Sequence, residues 1–223
     1  KGLSTDPDKL KVVAAWPVPR CVKDVRSFLG LCSYYRRYVK DFASVAEPLH
    51  GLTKKNQRFV WDLRCQVAFE DLKDRLLHSP ILSFPTDNDR FILDTDASDF
   101  GIGAVLSQEQ DGEEKVILYA SRLCTASERN YNVTRRELLA VAYHLKSMRQ
   151  YLLGRKFLLR TDHAALQWLR KTPEPIGQQA RWLEQMAEFD FDIQHRPGTK
   201  HGNADAMSRR PIVEEEGATP AVI

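Results

Sequence analysis

Apolar residues recur at three- and four-residue spacing through the first 80 positions. Thr5 and Asp6 precede Pro7, a cap-then-proline start, and Leu10, Val13 and Ala14 continue as a short stripe that Trp16-Pro17-Val18-Pro19 ends. Val25, Phe28, Leu29, Cys32 and Tyr35 predict a second helix over about 22–39. A third is expected over 43–52. A fourth covers 65–77, with Phe69, Leu72, Leu76 and Leu77 on one side. Pro80, Pro85 and the polar run Thr86-Asp87-Asn88-Asp89 mark a boundary. The period then shortens. Runs at 91–95, 102–106 and 116–120 predict short strands. A long helix follows from 134 to about 153, with Leu138, Val141, Ala142 and Leu145 buried and Gly154 closing it. Strands at 156–161 and 191–194 alternate with helices at 164–170, 178–188 and from Asn203. Three strands in succession favour antiparallel hairpins, and the later alternation favours parallel additions, so the sheet should be mixed. The pattern predicts a helical unit over 1–85, an α/β unit over 86–210 and a linker or tail over 211–223.

Composition narrows this picture. The chain has 223 residues, 43% hydrophobic and 28% charged, which excludes disorder throughout. No apolar run reaches the ~18–20 residues of a membrane helix, so no membrane partner is expected. Lys1-Gly2-Leu3-Ser4 has neither an initiator Met nor a signal region, and reads as the start of a piece cut from a longer chain. Cys21, Cys32, Cys65 and Cys124 form no CxxC pair, which argues against zinc and for reduced thiols in an intracellular protein. Residues 1–90 carry 16 Lys and Arg against 11 Asp and Glu, a net +5 within the total of +3. A basic first part fits a polyanionic partner.

Four carboxylates sit at element ends: Asp96 after the first strand, Glu137 early in the long helix, Asp162 closing the fourth strand, and Asp205 opening the last helix. If they converge, they must hold hard divalent cations, because bare carboxylates would repel one another. Each has a plainer role open to it. Thr134-x-x-Glu137 fits a capping box. Asp205 suits a helix dipole. Asp96 and Asp162 suit strand-end turns. Asp94 shares a strand face with Asp96, and spacing does not choose between them.

At these residues a family resemblance enters. Asp96-Ala97-Ser98 with Gly101-Ile102-Gly103-Ala104-Val105-Leu106-Ser107-Gln108 resembles the opening hairpin of the ribonuclease H domain in gypsy-type LTR retrotransposon polymerases. Tyr131-x-x-Thr134-x-x-Glu137, Thr161-Asp162-His163 and Asn203-Ala204-Asp205-Ala206-Met207-Ser208-Arg209 resemble its later motifs. Ser27-Phe28-Leu29-Gly30-Leu31-x-x-Tyr34-Tyr35-Arg36-Arg37 resembles the thumb of the same reverse transcriptases.

The resemblance implies a five-stranded mixed ribonuclease H sheet flanked by helices and preceded by a thumb. It implies hydrolysis of the RNA strand of an RNA–DNA hybrid with two Mg²⁺ ions, Mn²⁺ being the alternative. It carries the metal-binding acids over to Asp96, Glu137, Asp162 and Asp205, with Asp96 bridging both ions and Asp205 nearest the attacking water, and so favours Asp96 over Asp94. His195, ten residues before Asp205, matches the family's auxiliary histidine. His163 is an alternative that would steer substrate. Tyr34, Arg36, Arg37 and Lys40 form a basic-aromatic cluster suited to phosphates and sugars, while Tyr35 and Tyr38 suit either that role or the thumb's core.

No aromatic-x-Asp-Asp turn is present, so fingers and palm are expected upstream as partners. The stretch 170–178 is too short for the extra basic helix of cellular ribonucleases H. A cytoplasmic retroelement particle, or the nucleus, is the expected location. Two rivals stand beside this reading. An integrase-type nuclease would need a Glu about 35 residues after Asp162, where Pro197 stands, and no Glu lies between Glu188 and Glu214. A non-catalytic nucleic-acid-binding module is the other.

Overall fold

The computed structural model describes residues 2–162 and 177–196. Four helices come first: α1 (Pro7–Ala14), α2 (Val22–Tyr34), α3 (Phe42–Leu52) and α4 (Leu63–Leu77). Asp6 caps α1 by accepting from the Asp8 amide, and Asp62 caps α4 by accepting from Cys65. Val25, Phe28, Leu29, Cys32, Leu49, Phe69, Leu72 and Leu76 close a core between them. Each fully buried side chain of this kind contributes about 1.5–3 kcal/mol.

The second helix stops at Tyr34, five residues short of the expected end, and a 3-10 turn follows over Arg36–Tyr38. Side chains three apart eclipse in such a turn. That brings Tyr35 and Tyr38 to the same side, where both are buried in the helical core. Of the two roles open to them, burial is the one the fold uses.

The sheet is five-stranded and mixed, in the order β3-β2-β1-β4-β5. Its strands are β1 (Phe91–Ala97), β2 (Gly101–Gln110), β3 (Glu113–Leu123), β4 (Lys156–Thr161) and β5 (Asp190–His195). β1–β2 and β2–β3 pair antiparallel, and β1–β4 and β4–β5 pair parallel. β2 and β3 run well past their expected ends. They meet at Asp111 (φ 56°) and Gly112 (φ 78°), a two-residue turn of the kind that matches strand twist. The polar run Ser107, Gln108 and Gln110 hides the strand in sequence. Gln108 and Gln110 are nevertheless buried, donating amide hydrogens to the carbonyls of Thr86, Asp89 and Phe84.

Three helices follow β3 and precede β4 along the chain: α5 (Ala126–Arg129), α6 (Val133–Ser147) and α7 (Arg149–Leu152). α8 (Gln178–Ala187) precedes β5. Leu138, Val141, Ala142 and Leu145 of α6 are buried against β1 and β2, as their spacing predicts. The expected single helix to residue 153 is instead broken at Met148. The capping box lies elsewhere than expected. Thr125 and Glu128 form it at α5, whereas α6 is capped by Asn132 accepting from the Arg135 amide.

The helical segment docks on the sheet rather than hanging from it. Val116 and Tyr119 of β3 pack into the helical core. The Ala43 amide donates to Ser121 Oγ at 3.0 Å, and Arg36 donates to the Ser121 carbonyl. The segment's two ends also meet: Leu3 and Leu82 exchange backbone hydrogen bonds of 2.6 and 2.8 Å.

All four cysteines are free thiols. Among the described residues no helix is long and apolar enough to cross a membrane. The expected helices at 164–170 and from Asn203, the short stretch 170–178 and the tail 211–223 lie wholly or mostly outside the described residues, and so do His163 and Asp205.

Candidate active site

β1 and β4 run parallel with Ile92 opposite Leu158 and Asp94 opposite Arg160, an offset of 66. The same offset sets Asp96 level with Asp162 just beyond β4. α6 crosses the other face of β1 and brings Glu137 to the same end. Carboxylate oxygens of Asp96, Glu137 and Asp162 lie within 4.8 Å of one another. Three elements distant in sequence thus converge on one point at the carboxyl end of two parallel strands, where α/β sheets place their chemistry.

Glu137 does not cap α6. It lies a turn inside the helix and is 3% exposed, with Oε2 buried and lacking any hydrogen-bond partner. Burial, then the charges of Asp162 and Asp96, push its carboxyl up to about 9, partly opposed by the Ala97 amide. The Asp96 carboxyl is also raised, by burial and then by Asp41 and Asp162. Such a set is poorly satisfied by protein alone. The donors are all hard oxygens, and one of them is orphaned. They fit divalent cations of the Mg²⁺ class.

Asp94, the neighbour with which Asp96 competes in sequence, has a different environment. Arg160 donates to it through Nε at 2.8 Å and through Nη2, and the same guanidinium binds Glu114. Its charge is balanced within the sheet, whereas that of Asp96 is not.

His195 ends β5 opposite Thr161, and its Nε2 lies 2.8 Å from the Asp162 carbonyl. A carbonyl only accepts, so Nε2 carries the proton there and Nδ1 is the acceptor of the neutral ring. In the basic-aromatic cluster, Tyr34 is 78% exposed and Arg37 is exposed. Lys40 is half-buried. Arg36 is committed to Ser121 and lies over the Phe42 ring at 5.6 Å. Arg36 is exposed like Tyr34 and Arg37, but its guanidinium is tied to the sheet.

One acid near the site has no sequence signature of its own. Asp41 precedes α3, and its Oδ1 lies 2.8 Å from where a Cβ on Gly103 would stand. Gly103 is the residue paired with Asp96. Only the docking of the helical segment brings it there.

Residues 86–189 match the model of the RNase H-like domain found in reverse transcriptase. The retrovirus-related Pol polyprotein from transposon 297 of Drosophila melanogaster is 38% identical over 96% of this chain and 20% of its own length. That from transposon 412 of the same species is 34% identical over 100% of the chain and 18% of its own length. The chain thus spans about a fifth of these relatives. A foamy viral protease-reverse transcriptase, solved in complex with RNA/DNA hybrid, superposes with a TM-score of 0.73 at 19% identity, covering 97% of this chain and 30% of that one. At that identity the likeness is one of fold.

Proposed function

The chain belongs with the Pol polyproteins of gypsy-type retrotransposons, its residues 86–189 being an RNase H-like domain of the kind found in reverse transcriptase, and on that premise we propose that it hydrolyses the RNA strand of RNA–DNA hybrids. The observation that carries the proposal is the convergence of Asp96, Glu137 and Asp162 around an orphaned, buried carboxylate oxygen. These three would hold two Mg²⁺ ions, or Mn²⁺, with Asp205 completing the set. The ions would supply Lewis-acid charge at the scissile phosphodiester. Asp96, on the central strand, would help hold both, and Glu137 and Asp162 would each help hold one. His195, with Nε2 on the Asp162 carbonyl and Nδ1 left as proton acceptor, is suited to carry a proton beside the acids. The substrate's 2′-hydroxyls would distinguish the RNA strand. His163 is a further candidate for steering substrate.

Residues 1–85 would act as the thumb of a reverse transcriptase whose fingers and palm lie upstream. They would grip the duplex by Tyr34, Arg37 and Lys40, with Arg36 holding the grip to the sheet. A cytoplasmic retroelement particle, or the nucleus, is the proposed location.

Incubation with end-labelled RNA–DNA hybrid tests the activity. Cleavage of the RNA strand that requires Mg²⁺ is expected. Binding without cleavage at any Mg²⁺ concentration would leave a nucleic-acid-binding module instead. Arg37→Ala with Lys40→Ala tests the grip. The log–log dependence of hybrid affinity on salt should flatten by up to about two units, because each phosphate that a cation neutralises adds about 0.9 to the slope. Mg²⁺ binding should persist. An unchanged slope would place the grip elsewhere.

A further inference from the structure

Asp41 adopts an unusual conformation for its position. It is the residue before α3, where an Asp ordinarily turns its carboxylate back to cap the first amides. Here its side chain makes no capping bond. Its backbone is left-handed, φ 54° and ψ 29°, a region that non-glycine residues visit rarely and at some cost. The carboxylate points instead at the sheet.

What receives it is a gap of one methyl group. Across β1 and β2, Asp96 pairs with Gly103, and side chains of such a pair project to the same face with Cβ atoms about 4.5–5.5 Å apart. At Gly103 that side chain is missing, and Asp41 Oδ1 fills the place, 2.8 Å from the absent Cβ. Asp41 therefore occupies the seat beside Asp96. Among the charges acting on Asp96 it precedes Asp162. It is not one of the three acids whose oxygens converge within 4.8 Å, so it stands one layer out. The unpartnered Glu137 Oε2 independently marks that centre as built for a cation.

We propose that Asp41 is a positioning residue of the metal centre, a further carboxylate that the helical segment supplies to the nuclease sheet and that raises its affinity for divalent cations without joining the direct ligands. The proposal rests on the nuclease reading above. Its consequence is linkage. Docking of the helical segment brings Asp41 and, with a smaller opposing effect on Asp96, Lys40. The Asp41 charge favours the ion, and the bound ion in turn favours docking. Groups one layer beyond metal ligands typically change affinity or activity 10–100-fold.

The test is Mg²⁺ titration of the full chain, read by calorimetry and by the Mg²⁺-induced rise in melting temperature, with hybrid cleavage measured across the same concentrations. Asn tolerates the left-handed backbone, so Asp41→Asn removes charge with little strain. Its Mg²⁺ affinity should fall about tenfold while its metal-free melting temperature holds or rises. Cleavage should return towards wild type at saturating Mg²⁺. Gly103→Ala leaves Asp41 itself unmutated but fills the gap with a methyl group. It should reproduce the loss, and the double variant should bind no worse than Asp41→Asn alone. A wild type that does not respond to Mg²⁺ defeats the nuclease reading and this proposal with it. A responsive wild type matched within twofold by Asp41→Asn, or by Gly103→Ala, overturns the role of Asp41 alone.

Discussion

Asp96→Asn and Asp162→Asn are each expected to reduce hybrid cleavage at least about a thousandfold and to leave a folded chain. The amide keeps the shape of the carboxylate but brings no charge to balance a divalent ion. Metal ions contribute several kcal/mol to charge stabilisation at such centres, and each tenfold in rate corresponds to about 1.4 kcal/mol. Without metal the effect on stability has the opposite sign. Burial and the neighbouring Asp41 and Asp162 already disfavour the ionised form of Asp96. Removing one charge from the group relieves repulsion, so both variants should melt higher than wild type in EDTA. They should also lose the Mg²⁺-dependent rise in melting temperature. Calorimetric melting with and without Mg²⁺, alongside the cleavage assay, checks both halves. Wild-type cleavage by Asp96→Asn would remove it from the metal set.

Glu137→Gln is expected to abolish cleavage and to change the dependence of stability on pH. The Glu137 carboxyl titrates near 9 in the fold, against an ordinary 4.5. Below about 4.5 both folded and unfolded chains hold the proton, and the group has no net effect on their balance. Between 4.5 and 9 the unfolded chain releases it while the folded chain retains it. Folding stability therefore falls as pH rises through that window, by up to about 1.4 kcal/mol per unit, and levels off above it. The metal-free wild type should show this decline. Glu137→Gln, with nothing to ionise, should lack most of it. Mg²⁺ should flatten the wild-type curve, because the ion stabilises the ionised form. Thermal melts at pH 5, 7 and 9 measure it. A metal-free wild type equally stable from pH 5 to 9 would contradict the burial of Glu137 as an unpaired acid.

Much of the fold is legible in the sequence for a simple reason: α6 and the β1 core face bury their side chains at the period of their own backbone. Leu138, Val141, Ala142 and Leu145 lie on one face because a helix must put them there. The long β2–β3 hairpin is less legible. Ser107, Gln108 and Gln110 are polar yet buried, and the two glutamines are satisfied by carbonyls of residues about 20 positions earlier. Hydropathy carries no record of such partners. The break after Tyr34 is local, but it serves the burial of Tyr35 and Tyr38 in a core built from other helices.

The site divides along the same line. Asp96 and Asp162 follow apolar strands and stand out in sequence. Glu137 is ambiguous there, because Thr134 three residues earlier imitates a cap. In the fold Asn132 caps α6, and Glu137 Oε2 is buried without a partner. Asp94 and Asp96 are equivalent by spacing and become different only through Arg160, which pairs with Asp94 from the neighbouring strand. Asp41 has no local signal at all. Its relation to Asp96 exists only once a helical segment has docked over a glycine.

The backbone exchange between Leu3 and Leu82 makes the helical segment a closed loop on the chain's path. Because the pairing is antiparallel, residue 2 and residue 83 leave the clasp on the same side. A pull between them would open its two hydrogen bonds one after the other, as a zipper opens, rather than shearing both at once. Beyond that clasp, the Arg36 and Ala43 hydrogen bonds to Ser121 help hold α1–α4 to the sheet. Leu82 is itself buried in the helical core, so opening the clasp would loosen the edge of that core, while the Ser83 amide, donating to the Val116 carbonyl at 2.8 Å, would pass load on to β3.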